Sequence, residues 1–404
     1  MTDERLIAST TAIEPPPPEL LAAQPDAFGL AWLHRSDGLI AWGEAARIKV
    51  EPGEGRFRRA LESLAEVFDA LEVADEVGMP GTGPVAFGAF SFDPAADGSV
   101  LIVPSVVVGR RDGRAWRTLI GTEPAIESHE APEDDRIRYW GPSVSEVTWL
   151  DAVTSAEAAV RAGELDKVVL ARDLRVWSKM PLSPRRLLAR LSARFPECYS
   201  FSIDGLIGAT PELLVRVTGE YVESLVLAGS IRRGGDDAED ERLGRAMLDS
   251  AKDGREHEIS VGDVSAVLGE LCTGLTAGDP GLLKLANVQH IATTVQGVLS
   301  EPRSALEVAA ALHPTAAICG QPRSDAMAMI RRLEGMDRAR YSGPVGWVDA
   351  AGGGEWGIAL RCAEIDGGSA RLFAGAGIVA GSTPEGELDE TRIKLQAMQS
   401  ALGS

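Results

Sequence analysis

Strand-forming segments in the second half of the chain arrive in adjacent pairs, and this order constrains the fold more than any other feature of the sequence. "CYSFSI" is followed at once by "LIGAT", "ELLVRVTG" by "YVESLVLAGS", and "GPVGWVDAAGGGEWGIALRCAEI" by "ARLFAGAGIV". Successive parallel strands need a long crossover, usually a helix, whereas strands joined by short turns pair antiparallel. The order therefore predicts an α+β fold rich in antiparallel sheet and disfavours a doubly wound parallel one. Helical periodicity falls in separate segments, among them "TWLDAVTSAEAAVRAGEL", "PRRLLARLSARF" and "GREHEISVGDVSAVLGELC".

With 404 residues, 45% hydrophobic and 25% charged, the chain has the composition of a folded protein with a sizeable core. A formal charge of −20 repels phosphate backbones and anionic membranes, so neither nucleic acid nor a membrane is an expected partner. An anionic small molecule would need a local pocket of cations or backbone N–H groups. The four cysteines are scattered without a C-x-x-C pair, which points to a reducing, cytoplasmic setting. Residues 1–26, with four consecutive prolines and no long apolar stretch, read as a flexible leader and not as a signal peptide or span.

Several residues stand out chemically. In "GELDKVVLARDL" Lys167 sits at the mouth of a run, Val168–Ala171, whose two faces should both be buried. A desolvated lysine can serve as a general base; a strand-end lysine that snorkels to water is the plainer alternative. In "DSAKDGREHEISVGDV" Lys252, Glu256 and Asp263 share a helical face. In "GSTPEGELDETRIKL" a helix beginning near Pro384 aligns Glu387, Glu390 and Lys394. Two helices that each present a carboxylate can hold a hard cation, although acids in a first turn are also favoured by the helix dipole. Gly375 and Gly377 permit close backbone approach, Arg361 lies among apolar residues and would need an anion if buried, and His313 precedes a proline-forced turn.

Taken in order, "KVVLAR", "GATPELLV", "LAGSIRRG", "DSAKDGREHE", "LHPTAAICG", "YSGPVGW", "ALRCAEI" and "GAGIVAGSTPEGELDET" resemble the chorismate-utilising enzymes, the family of anthranilate, aminodeoxychorismate, isochorismate and salicylate synthases, over about residues 145–400. The resemblance implies one large domain in which two antiparallel-rich sheets pack face to face, flanked by helices. Residues 27–144 would be its variable N-terminal part and 145–404 its chorismate-binding catalytic region. It also implies chorismate as substrate and Mg2+ as cofactor. Members that add water at C2 carry a lysine at the position of Lys167, whereas members that add ammonia typically carry glutamine.

Lys167 would then be the general base and Glu212, in "TPELL", the general acid at the departing C4 hydroxyl. Glu256, Glu387 and Glu390 would be metal ligands, and the resemblance does not distinguish which of the last two binds directly. Gly229, Ser230, His313, Tyr341, Arg361, Gly375, Gly377 and Lys394 would bind substrate. Ala228 replaces the lysine common in aminodeoxychorismate synthases, while Leu227 and Ser230 depart from the anthranilate synthase pattern. The implied activity is isochorismate synthesis, an isomerisation that serves siderophore or menaquinone pathways, by a monomer without a glutamine amidotransferase subunit. Salicylate synthase, which shares Lys167 and Glu212, and a noncatalytic chorismate-binding protein are the alternatives.

Overall fold

The computed structural model of the chain describes residues 6–14, 19–23, 29–125 and 136–403. All described strands belong to two sheets. The larger has thirteen strands, in the order Ile137–Gly141, Lys167–Ser178, Ser369–Ile378, Cys362–Asp366, Leu206–Thr210, Tyr199–Ile203, Leu30–His34, Asp37–Trp42, Val106–Arg111, Arg114–Ile120, Leu6–Ala12, Leu71–Asp75, with Gly320–Gln321 added beside Lys167. The smaller has ten, in the order Cys272–Ala277, Val288–Leu299, Tyr221–Arg232, Leu213–Thr218, Gly354–Ile358, Pro344–Asp349, Val85–Ala89, Val100–Val103, Ala46–Lys49, with Gly281–Lys284 on the second of these. The hairpins read from the sequence are present: Tyr199 pairs with Thr210, Thr218 with Tyr221, and Pro344 with Ile358. Only Leu6–Ala12 and Leu71–Asp75 run parallel among the described residues.

The sheets pack face to face. Trp32, Trp116 and Phe201 from the larger interdigitate with Phe87 and Trp347 from the smaller in one apolar cluster from which water is excluded. Helices cover the outer faces. Pro184–Arg194 and Pro384–Leu402 lay Leu187, Leu191, Met398 and Ala401 on the larger sheet. Ala251–Leu271, capped by the Ser250 side chain on Asp253 N, buries His257, Ser260, Val264 and Leu268 at helical spacing. The polar members of that stripe fall at the end nearest the site.

The flexible leader expected over residues 1–26 is corrected in its described part. Leu6–Ala12 is a strand, because alternation places Ala8 and Thr10 inward, where Thr10 Oγ1 lies 2.8 Å from Thr118 Oγ1. The four prolines, residues 15–18, lie outside the described residues.

Candidate active site

The chain crosses between the sheets at two neighbouring points. Leu206–Thr210 belongs to the larger sheet and Leu213–Thr218 to the smaller, so Pro211 and Glu212 make one crossing. Gly354–Ile358 and Cys362–Asp366 are related in the opposite sense, so Ala359–Arg361 make the other. The registers Gly208 to Cys362 and Leu213 to Gly357 hold the crossings side by side. A side chain at a crossing escapes the alternation that turns every second strand residue away. Glu212 and Arg361 are thereby buried, each 6% exposed, at the same cavity. Arg361 adopts a φ of +48°, unusual for a residue with a side chain.

A β-bulge supplies the next wall. Ala228 pairs with Ile291 and Ser230 with His290, leaving Gly229 as the extra residue at φ +74°. The bulge lets the consecutive residues Ala228, Gly229 and Ser230 all line the cavity. His290 joins them. Arg361 NH2 lies 2.5 Å from His290 Nε2, and a guanidinium only donates, so Nε2 is the bare nitrogen and Nδ1–H points to Gly229 O at 3.0 Å. Burial, then the charges of Arg361 and Lys394, hold this histidine well below its ordinary pKa and therefore neutral. Arg361 NH1 is buried without a partner. An unpaired buried donor costs about 1–3 kcal/mol, which an entering acceptor would relieve.

The larger sheet forms the floor. Val169 pairs with Gly377 and Ala171 with Gly375. Lys167, two residues before Val169, shares its face and is fully buried. Its Nζ lies 3.0 Å from Glu256 Oε1 and 3.3 Å from Ser260 Oγ, both from helix Ala251–Leu271. Gly377 makes room for this pair, since a Cβ there would collide with Glu256 Oε1 and lie 3.0 Å from Lys167 Cε. Two further lysines repeat the arrangement: Lys252 Nζ meets Glu387 Oε1 at 2.8 Å, and Lys394 Nζ meets Glu390 Oε1 at 2.6 Å. Lys394 also donates to Gly375 O at 2.8 Å.

The carboxyls of the site are not equivalent. Burial would raise Glu256, but the Lys167 ammonium, through its charge and hydrogen bond and helped by Lys394 and Lys252, holds it below its ordinary value. Burial pushes Glu212 up to about 8, only partly opposed by the charges of Lys167 and Lys394. At neutral pH Glu212 is mostly a carboxylic acid, able to donate a proton. Burial likewise raises Tyr341, which stacks on Phe373 at 5.2 Å and keeps its phenolic proton.

Comparison with known proteins places this geometry. Residues 123–403 match the family model described as chorismate binding enzyme. The chain belongs to that family. It is 36% identical to the isochorismate synthase DhbC of Bacillus subtilis over 416 aligned positions, covering 100% of this chain and 99% of the relative. It is also 36% identical to the isochorismate synthase EntC of Escherichia coli K12, covering 79% of this chain and 81% of the relative. The solved structure of the menaquinone-specific isochorismate synthase MenF from Escherichia coli superposes with a TM-score of 0.79 at 25% identity, covering 98% of this chain and 95% of that one.

In this chorismate-binding enzyme most residues singled out from the sequence converge. Glu212, Gly229, Ser230, Glu256, Tyr341, Arg361, Gly375, Gly377, Glu390 and Lys394 line one cavity. Lys167 lies directly behind Glu256, and Glu387 lies on the same helix as Glu390, turned to Lys252. The assignment of His313 to the site is corrected. Its Nε2 sits 3.0 Å from Phe92 O, its ring packs among Phe57 and Phe92, and burial pushes its pKa down to about 3. His290 is the histidine of the cavity. The sequence reading missed it because "NVQHIATTVQG" looks like any strand, and its facing depends on a bulge in the neighbouring strand.

A magnesium ion needs hard oxygen ligands. Glu256 and Glu390 face the cavity, and Glu387 is raised by burial and by the charge of Glu390, against the pull of Lys252. That crowding of negative charge is what a cation would relieve, so the donor set fits in kind. Among the described residues no three such groups yet converge on one point, each carboxylate being drawn to its own lysine.

Proposed function

We propose that this enzyme converts chorismate to isochorismate. The observation that carries the reading is a buried, mostly protonated Glu212 in the cavity that Glu256 also lines, with Lys167 paired to Glu256 directly behind it: a proton donor and a base site at one cavity. Lys167 takes a proton from the water that attacks C2. Glu256, 3.0 Å away, steadies the ammonium that results, and the ion pair seen here corresponds to that protonated state. Glu212 gives its proton to the C4 hydroxyl, which leaves as water while the double bonds shift. One water enters and one departs, so the product is an isomer. Solvent then resets Lys167 and Glu212.

Arg361, with its unpaired NH1, and Tyr341 would hold the pyruvyl carboxylate. Magnesium bound by Glu256, Glu387 and Glu390 would neutralise the ring carboxylate. The lineage of named isochorismate synthases among its relatives supports the same reading. Its test is chromatography of products after incubation with chorismate and magnesium, without ammonia, beside a chelator control. Metal-dependent isochorismate is expected; salicylate with pyruvate as main products, or no turnover, would overturn the proposal.

A further inference from the structure

The strand that carries Lys167 lacks a neighbouring strand along part of one flank. On one side Ser369–Ile378 pairs with it from Val168 to Trp177. On the other, Gly320–Gln321 pairs only with Lys167 and Val168, and Ile137–Gly141 begins only at Arg175. Buried backbone groups in the gap still require partners. Val169 N–H donates to Cys319 O at 2.9 Å, and Val169 O accepts from Arg338 NH2 at 2.7 Å. Ala171 N–H donates to Glu334 Oε1 at 2.7 Å, and Ala171 O accepts from Trp149 Nε1 at 3.1 Å.

Glu334, which ends the helix Arg323–Leu333, and Arg338, four residues on in the following loop, form a buried pair, each 3% exposed, with Arg338 Nε 2.9 Å from Glu334 Oε2. The guanidinium packs on the Phe92 ring at 4.1 Å, and its remaining nitrogen, NH1, donates to Ile318 O at 2.9 Å. One rigid fork thus spans two carbonyls on neighbouring segments: Val169 on the floor and Ile318 on the adjoining loop, whose Cys319 O also accepts from Val169 N–H, both line the cavity. An apolar replacement would remove the two charges at little cost as an ion pair, but would leave Val169 O, Ala171 N–H and Ile318 O without these partners. What a fork supplies that an apolar pair cannot is a fixed separation.

We propose that Glu334 and Arg338 are positioning residues, standing in for the missing strand and setting the distance between the Lys167 strand and the 315–319 wall. The proposal rests on the chorismate reading above. Arg338→Lys keeps a cation beside Glu334 but cannot span both carbonyls. Its kcat with chorismate is expected to fall about 10²-fold with KM nearly unchanged, since Arg361 stands on another element. Hydrogen exchange should quicken at the Val169 amide and in segment 315–321, and stay as in the parent along Val288–Leu299. In the double variant Glu334→Leu with Arg338→Met the melting temperature should fall as three backbone groups lose their partners; a kcat lowered at a temperature where the variant stays folded supports the proposal, and a parent-like kcat there opposes it. Parent-like kcat, KM and local exchange in Arg338→Lys would overturn it, whatever the melting temperature. Should the parent itself not turn over chorismate, the functional reading fails, and the exchange pattern alone decides: quickening confined to the two named segments upholds positioning, and its absence refutes it.

Discussion

Glu212 and Glu256 face one cavity, Glu212 buried and Glu256 with 14% of its side chain exposed, yet their carboxyls are driven in opposite directions. Glu256 comes from a helix that meets the Lys167 strand, so a cation sits 3.0 Å away and holds it ionised. Glu212 comes from a crossing between sheets, where burial dominates and pushes it up to about 8. Desolvation is common to the two; the counter-charge differs. The difference follows from which elements the topology brings together, and the acid role proposed for Glu212 draws on it.

Removing the cation behind that difference should have the largest effect. Lys167→Gln is expected to lower chorismate turnover about 10³-fold or more. It should also destabilise the fold by ~3 kcal/mol, because Glu256 is left as a mostly buried charge without its partner. Adding Glu256→Gln should restore most of the stability, read by denaturant unfolding, and none of the activity. A double variant no more stable than the single would break the contrast between the two glutamates.

Glu212→Gln comes next, with turnover about 10²-fold lower. Its stability effect carries a definite sign. The folded-state pKa of about 8 lies above the ordinary 4.5, so the folded protein holds an extra proton between those values and loses stability as pH rises from 4.5 through 8. Glutamine removes that loss. The variant should match the parent at pH 4 and exceed it by ~5 kcal/mol at pH 8.5, while the parent's turnover declines as pH climbs past about 8. Equal stability at both pH values would show that Glu212 is not a buried neutral acid.

Much of this arrangement was legible in the sequence, and the rest fails for identifiable reasons. Consecutive strand pairs announced the antiparallel sheets, since hairpin order is local. Lys167 and Arg361 stood out because charge beside apolar runs is visible in one dimension, the carboxylates of the two helices stood out by their spacing, and Glu212 emerged only through the resemblance of its motif. The pairing of Lys167 with Glu256 was not legible, because it spans the chain from residue 167 to 256 and depends on Gly377 leaving room. Nor was the Leu6–Ala12 strand, whose partners at 71–75 and 114–120 give a short polar segment its inward face. The Gly229 bulge hid His290 in the same way.

Gly377→Ala tests the room itself. The added methyl meets Glu256 Oε1, the far end of a flexible side chain, which can turn aside at modest cost to the fold. Turning aside parts it from Lys167. Turnover is expected to drop about tenfold with a stability loss of ~1 kcal/mol, measured by steady-state kinetics beside thermal unfolding. Full activity would mean that the contact between Lys167 and Glu256 is incidental.

The smallest effect should come from His313, the residue that motif order places in the site and the structure removes from it. Its Nε2 bonds to Phe92 O and its ring lies among Phe57 and Phe92, away from the cavity that holds His290. With its pKa pushed down to about 3, it is neutral throughout the working range and lends no charge to the contrast between Glu212 and Glu256. His313→Gln should therefore leave kcat, KM and the pH profile of turnover as in the parent, and cost ~1 kcal/mol of stability for a weakened buried hydrogen bond. His290→Gln should do the reverse, raising KM through the disturbed Arg361. A rise in KM on changing His313 and not His290 would return the sequence-placed histidine to the site and invert the correction.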